Sequence, residues 1–191
     1  MTKVFVGGSR RISSLNTHIR AKLDDIIHNK YMVLVGDANG VDKSVQNFLL
    51  SRGYRNVIVF CTANGCRNNL GEWETRRIQM PNKSKGFEFY SAKDLEMANA
   101  AEFGLMLWDA KSKGTLLNVI NLLKQHKQTL VYVSSQKSFL TLTTIYDLAD
   151  LLAICETEHA NLFERKFKIS QLLTGEPTHQ EVFAFMLQET R

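Results

Sequence analysis

The stretch Phe103-Gly104-Leu105-Met106-Leu107-Trp108-Asp109-Ala110-Lys111-Ser112-Lys113-Gly114-Thr115-Leu116-Leu117-Asn118 decides the fold. It opens on an unbroken apolar run, Phe103 to Trp108. A run that short and that apolar suits a strand buried on both faces, as in a parallel sheet. Asp109 and Lys111 to Gly114 interrupt it. From Thr115 onward Leu116, Leu117, Ile120 and Leu123 return at helical spacing. The order is therefore strand, tight polar turn, helix. Ser112, Gly114 and Thr115 fall where the helix begins. Its first N–H groups and its dipole favour an anion there, most often a phosphate. The same residues also suit plain capping, with Ser112 and Thr115 closing the helix and Gly114 easing the turn.

The unit recurs along the chain. Lys3 to Val6 is β-prone and ends at Gly7-Gly8-Ser9-Arg10, where glycines permit close approach and Ser9 and Arg10 offer donors to phosphate. Leu15, Ile19, Leu23 and Ile26 then form a helical stripe. Met32 to Val35 predicts a second strand, leading into Gly36-Asp37-Ala38-Asn39-Gly40-Val41-Asp42-Lys43-Ser44. No glycine directly precedes Lys43, so the spacing excludes a Walker phosphate loop. Asp42, in the first helical turn, would repel a phosphate. It suits loop ordering or a ribose hydroxyl better.

Val57 to Cys61 predicts a third strand, followed by a long polar connection from Thr62 to Lys85. Connections of that length often act as lids. Arg67 and Asn68 suit a phosphate, Trp73 a stacked base, and Glu74 a ribose. The plain alternative pairs Glu74 with Arg77 on a short surface helix. Phe87 to Tyr90 predicts a fourth strand, Lys93 to Ala101 a helix, and Leu130 to Val133 a sixth strand. Leu142 to Leu152 reads as a helix. Phe163 to Leu173 and Val182 to Leu187 read as amphipathic helices separated by Gly175-Glu176-Pro177.

Strand–helix alternation predicts a Rossmann-like α/β domain over residues 1–152, mostly parallel, with helices on both faces. Residues 153–191 form a helical extension packed on it or on a partner subunit. Ligands of such sheets bind at the carboxyl ends of the strands. The loops 7–10, 36–42 and 109–115 all fall at that edge, which predicts a nucleotide cleft.

With 191 residues and 44% hydrophobic content the chain can bury a sizeable core. No apolar run reaches membrane-spanning length, and the N-terminus lacks signal-peptide character. Cys61, Cys66 and Cys155 are an odd, sparse set, which points to a reducing cytoplasm. A lone C-x4-C and scattered histidines give no metal site. A net charge of +5 and a pI near 9.1 suit anionic partners. The basic residues are dispersed rather than striped along one helix, so nucleic acid is the less favoured partner.

The order of motifs resembles the SLOG superfamily, which joins bacterial DNA-processing proteins to the lonely-guy phosphoribohydrolases. The matching pieces are G-G-S-R at 7–10, G-x-x-x-G-V-D at 36–42 and S-x-G-T at 112–115. Lys93 to Ala98 is similar to the lonely-guy segment R-K-x-x-M-A, which precedes P-G-G-x-G-T-x-x-E. A little-characterised bacterial branch shares G-D-A-N-G-x-D, C-R-N-N-L-G-x-W-E and G-L-M-L-W-D. The resemblance spans roughly residues 3–150. It implies a Rossmann-like fold, a nucleotide cleft, no cofactor, and a homodimer.

The departures are specific. The catalytic glutamate of the lonely-guy motif falls at Asn118, which is no acid or base at neutral pH. Its arginine falls at Lys93, and its P-G-G at Ala110-Lys111-Ser112. Three functions stay open: a nucleotide sensor or binding module, an N-glycosidase releasing a base from a nucleoside monophosphate, and DNA binding. The residues favour the first. Catalysis would need a carboxylate from Glu74, Glu72, Asp37 or Asp109. The expected ligand contacts are Gly7, Gly8, Ser9, Arg10, Gly36, Asp37, Gly40, Asp42, Arg67, Asn68, Trp73, Lys93, Asp109, Ser112, Gly114, Thr115 and Asn118.

Overall fold

A computed structural model of the chain describes residues 1–62, 65–79 and 87–175, with side chains described outside 87–91. The apolar runs become strands β1 (Lys3–Gly8), β2 (Met32–Gly36), β3 (Val57–Thr62), β5 (Phe103–Trp108) and β6 (Thr129–Val133). Two further strands, β4 (Glu74–Ile78) and β7 (Ser138–Leu142), form the edges. The helices are α1 (Thr17–His28), α2 (Val41–Ser51), α3 (Phe87–Ala100) and α4 (Lys113–Lys124), then α5 (Leu148–Leu152), α6 (Thr157–Phe167) and α7 (Ile169–Thr174).

The sheet order is β4-β3-β2-β1-β5-β6-β7. Every pair is parallel except β6–β7. From β1 the chain builds outward to β4, then returns to place β5 on the other side of β1. That reversal opens a crevice between the loops after β1 and β5, where open α/β sheets bind ligands.

Side chains alternate across the sheet. Val4, Val6, Leu105 and Leu107 enter one core with Ile19, Leu23, Val45 and Leu49 of α1 and α2. Phe5, Met106 and Trp108 enter the other with Met97 of α3 and Leu116, Val119 and Leu123 of α4. Both faces are covered, which is why these strands carry no polar alternation. Phe163 of α6 and Ile169 of α7 are buried in the second core beside Leu148 and Leu151.

Three expectations need correction. Phe87 to Tyr90 opens α3 rather than forming a strand. The fourth strand is Glu74–Ile78, polar and mostly exposed because it pairs on one side only, with β3. Leu142 ends an antiparallel hairpin strand instead of starting a helix. Val182 to Leu187 lies outside the described residues. Among the described residues no helix is long and apolar enough to cross a membrane.

Candidate functional site

The crevice is a cavity of about 590 Å³, walled by the loop after β1, the start of α2, α3, and the turn from β5 into α4. Gly7, Gly8, Ser9, Arg10, Asp42, Arg67, Lys93, Ser112, Gly114, Thr115 and Asn118 line it. Loops separated by up to a hundred residues thus converge. Arg11, Lys111 and Lys113 add cations that sequence reasoning missed, while Phe5, Met97 and Leu117 supply an apolar wall.

Ser9 pins the loops together. It is 1% exposed. Its hydroxyl donates to Asp109 Oδ2 at 2.8 Å and accepts from the Arg11 N–H at 3.1 Å. Its N–H donates to Leu107 O, and its carbonyl accepts from the N–H of Ile12 and Val41. A serine has one hydroxyl proton. Given to Asp109, it is not there for a phosphate, so Ser9 shapes the cleft instead of donating into it. Asp109 does the same work on its side. Its Oδ1 accepts from the N–H groups of Lys111 and Ser112, at 3.1 and 2.7 Å. Burial opposes its ionisation, but the hydrogen bonds from Ser9, Lys111 and Ser112 prevail and hold its pKa below the usual carboxylate value.

The helix start behaves differently from a capped one. Ser112 occupies the N-cap of α4 but makes no capping hydrogen bond. Its hydroxyl donates to Thr115 Oγ1 at 2.6 Å instead. Thr115 keeps its own proton, and the first N–H groups of α4 have no helical acceptor. A Cβ at Gly114 would meet nothing within 4 Å.

Other glycines serve packing. A Cβ at Gly36 would collide with the Asp42 carboxylate and crowd the Lys93 ammonium. Gly40, at φ +80°, backs directly onto the main chain of Arg10. These two lie behind the wall, not on it.

Beneath the cleft lies a charge cluster. Asp37, fully buried, takes two guanidinium bonds from Arg67, at 3.1 and 2.6 Å, and the Arg67 N–H at 3.1 Å. Lys93 Nζ, itself 2% exposed, donates to Asp37 Oδ1 at 3.0 Å. Burial would raise the Asp37 pKa, but Arg67 and Lys93 outweigh it and hold the carboxyl far below its ordinary value. A carboxylate so paired is a poor base. Asn68 is likewise committed, donating to Asp37 O at 2.7 Å. Asp42 accepts from the Ala38 N–H at 3.1 Å. Burial, reinforced by the neighbouring Asp94, lifts Asp42 to about 6 against the pull of Lys93. Burial also raises Asp94. Asp94 lines the cavity and sequence reasoning overlooked it; it stands 3.5 Å from Asn118 Nδ2. Among the described residues the carboxylates facing the cleft are therefore Asp42 and Asp94.

The structure places three more expected residues elsewhere. Trp73 is buried in the core beside Tyr54, its indole N–H donating to Tyr54 O at 2.8 Å, so it stacks on no ligand. Glu74 is exposed at the amino-terminal end of edge strand β4, opposite the carboxyl edge that carries the cleft. Glu72 is exposed too. Of the connection from Thr62 to Lys85, Arg67 is the residue that reaches the cavity among those described. Cys61 and Cys66, Cα atoms 5.0 Å apart, are joined as a disulfide, where the cysteine count pointed to free thiols. The bond tethers the segment that delivers Arg67. Among the described residues no group of His, Cys, Asp and Glu could hold a metal ion.

No family model matches the sequence, and no curated protein matches it significantly. Solved structures do. DNA processing protein A from Helicobacter pylori, whose structure concerns its single-stranded DNA binding mode, superposes with a TM-score of 0.55 at 16% identity. The match covers 87% of this chain and 80% of that one. DNA processing protein A from Streptococcus pneumoniae gives a TM-score of 0.48 at 14% identity over 68% of this chain, which spans 50% of that structure. At these identities the likeness speaks for architecture. The chain therefore has the Rossmann-like fold seen in DNA processing protein A from Helicobacter pylori, as its resemblance to the SLOG superfamily implied.

Proposed function

We propose that the cleft binds a nucleotide or nucleotide-derived ligand through its phosphate. One observation carries the reading. The uncapped start of α4, with open space over Gly114, faces a cavity whose walls include Arg10, Arg11, Lys111 and Lys113. Helix N–H groups and nearby cations both stabilise a phosphate. The apolar wall of Phe5, Met97 and Leu117 offers a surface for a base. Titration calorimetry with the common nucleoside 5′-monophosphates tests it. Saturable binding that inorganic phosphate competes away supports the reading; no heat from any of them removes it.

A second reading is single-stranded DNA, favoured by the fold shared with the Helicobacter pylori protein. A short oligonucleotide that outcompetes the mononucleotides by orders of magnitude would establish it. The resemblance also implies a homodimer. The apolar residues Phe163 and Ile169 pack on the chain's own core, so that implication rests on the resemblance alone.

A further inference from the structure

The donor-rich wall at the start of α4 faces a cleft whose deeper part is rich in acceptors. Asn118 follows Gly114 by four residues and Thr115 by three, so it lies on the same helix face about one turn, ~5 Å, further in. It is 6% exposed and lines the cavity, yet its Oδ1 has no hydrogen-bond partner. A buried acceptor left unpaired is costly, and a partner is the normal state of such a group. Beside it stands Asp94, whose side chain is 23% exposed, with Asn118 Nδ2 at 3.5 Å, Lys93 Nζ at 3.9 Å and the Arg10 charge nearby. Asp42 lines the same region. These groups would repel a second phosphate. They call for hydrogen-bond donors, and in a nucleotide the donors next to the phosphate are the hydroxyls of the sugar.

We infer that Asp94 and Asn118 receive the sugar hydroxyls of the ligand, so that the cleft selects ribonucleotides over their 2′-deoxy counterparts. This rests on the nucleotide reading above and adds the class of sugar. A site built to accept from a hydroxyl rejects the analogue lacking it, because its own buried acceptors then stay unpaired. Two acceptors also explain why the cleft is not cationic throughout, as a phosphate channel for a DNA strand would be.

Calorimetry separates the two claims. The probes are inorganic phosphate, the common ribonucleoside 5′-monophosphates, and the matching 2′-deoxynucleotides. Wild type should bind its best ribonucleotide at least about tenfold more tightly than the deoxy form. In Asp94→Asn and Asn118→Leu that ratio should fall to within about threefold, while affinity for inorganic phosphate holds. Equal affinity of wild type for ribo and deoxy forms overturns the sugar assignment and leaves the nucleotide reading standing. Unchanged selectivity in a folded Asp94→Asn protein, checked by its melting curve, overturns the role of Asp94. If nothing phosphorylated binds, both claims fall together. The wild-type comparison needs no variant, so a misfolded Asn118→Leu protein does not shield the inference.

Discussion

Gly114 separates fold from function more cleanly than any other position in the cleft. It sits in the first turn of α4, with φ outside the left-handed region, and an added Cβ points into empty space. The fold therefore has no use for a glycine there. Glycine within a helix costs about 0.5–1 kcal/mol relative to alanine. Gly114→Ala should thus stabilise the ligand-free protein. For a chain of this size that is a rise in melting temperature of roughly 1–4 °C. A phosphate resting on the N–H groups of the same turn would meet the new methyl group. Gly114→Val adds two more carbons to the obstruction, and valine's weaker helix propensity leaves the melting temperature near wild type. Nucleotide affinity should fall at least about tenfold in the valine variant, ~1.4 kcal/mol, and by less in the alanine variant. Differential scanning fluorimetry without ligand and calorimetry with ligand read the two effects separately. Stability unchanged or raised with affinity undiminished in both variants would refute phosphate approach at this turn. A large loss of stability in Gly114→Ala would refute the open space itself.

Three other outcomes follow from the geometry. Asp42 has a folded pKa of about 6 against an ordinary 3.8, so the folded state binds more protons between those values; stability should decline as pH rises from about 4 to 6, and Asp42→Asn should flatten that slope and stabilise the protein at pH 7 by on the order of 2–3 kcal/mol, a claim that identical pH–stability curves would sink. Ser9→Ala removes the hydroxyl bond to Asp109 Oδ2 and leaves the Arg11 N–H without its acceptor, so urea unfolding should show a loss of about 1–3 kcal/mol; a loss below ~0.5 kcal/mol would show that Ser9 does not hold the loops. Glu74→Gln, on the far edge of the sheet, should leave nucleotide affinity and any release of free base unchanged, and a drop in either would return Glu74 to the site.

Local signals made the architecture legible. The central strands are buried on both faces, so Val4 to Val6, Val33 to Val35 and Leu105 to Trp108 are apolar without interruption. The edge strands escaped notice for the converse reason. Glu74 to Ile78 pairs on one side and faces water, so hydropathy carries no trace of it. Phe87 to Tyr90 alternates as a strand would, yet it runs on into a helical segment that ends at Ala100. For the cleft, glycine-bearing loops after apolar strands correctly located the edge. They could not say which polar side chains face inward. Ser9 and Asp109 look like ligand contacts in sequence and prove to bind each other across a separation of 100 residues. Trp73 looks like a stacking platform, and a carbonyl of Tyr54 holds it in the core.

Asn118 shows the same limit from the other side. Read along α4, it stands where the lonely-guy motif, which this segment resembles, has a carboxylate. In three dimensions a carboxylate stands next to it, on Asp94 of α3, from a position 24 residues earlier. Where the similar segment has lysine after its arginine, this chain has Asp94 after Lys93. Asp94 and Asn118 both line the cavity, so the cleft does hold a carboxylate, on the neighbouring helix. A carboxylate supplied by another helix is invisible to a motif, which asks only what occupies a given position. It also changes the chemistry. Asp94 has a buried ammonium 3.9 Å away and an amide at 3.5 Å, and burial raises its pKa. A carboxyl pulled between burial and a lysine is suited to accepting from a hydroxyl in its ionised form and to holding a proton when the site is dry. On the nucleotide reading proposed above, the acid to test for any cleavage is therefore Asp94, the carboxylate that lines the cavity beside Asn118.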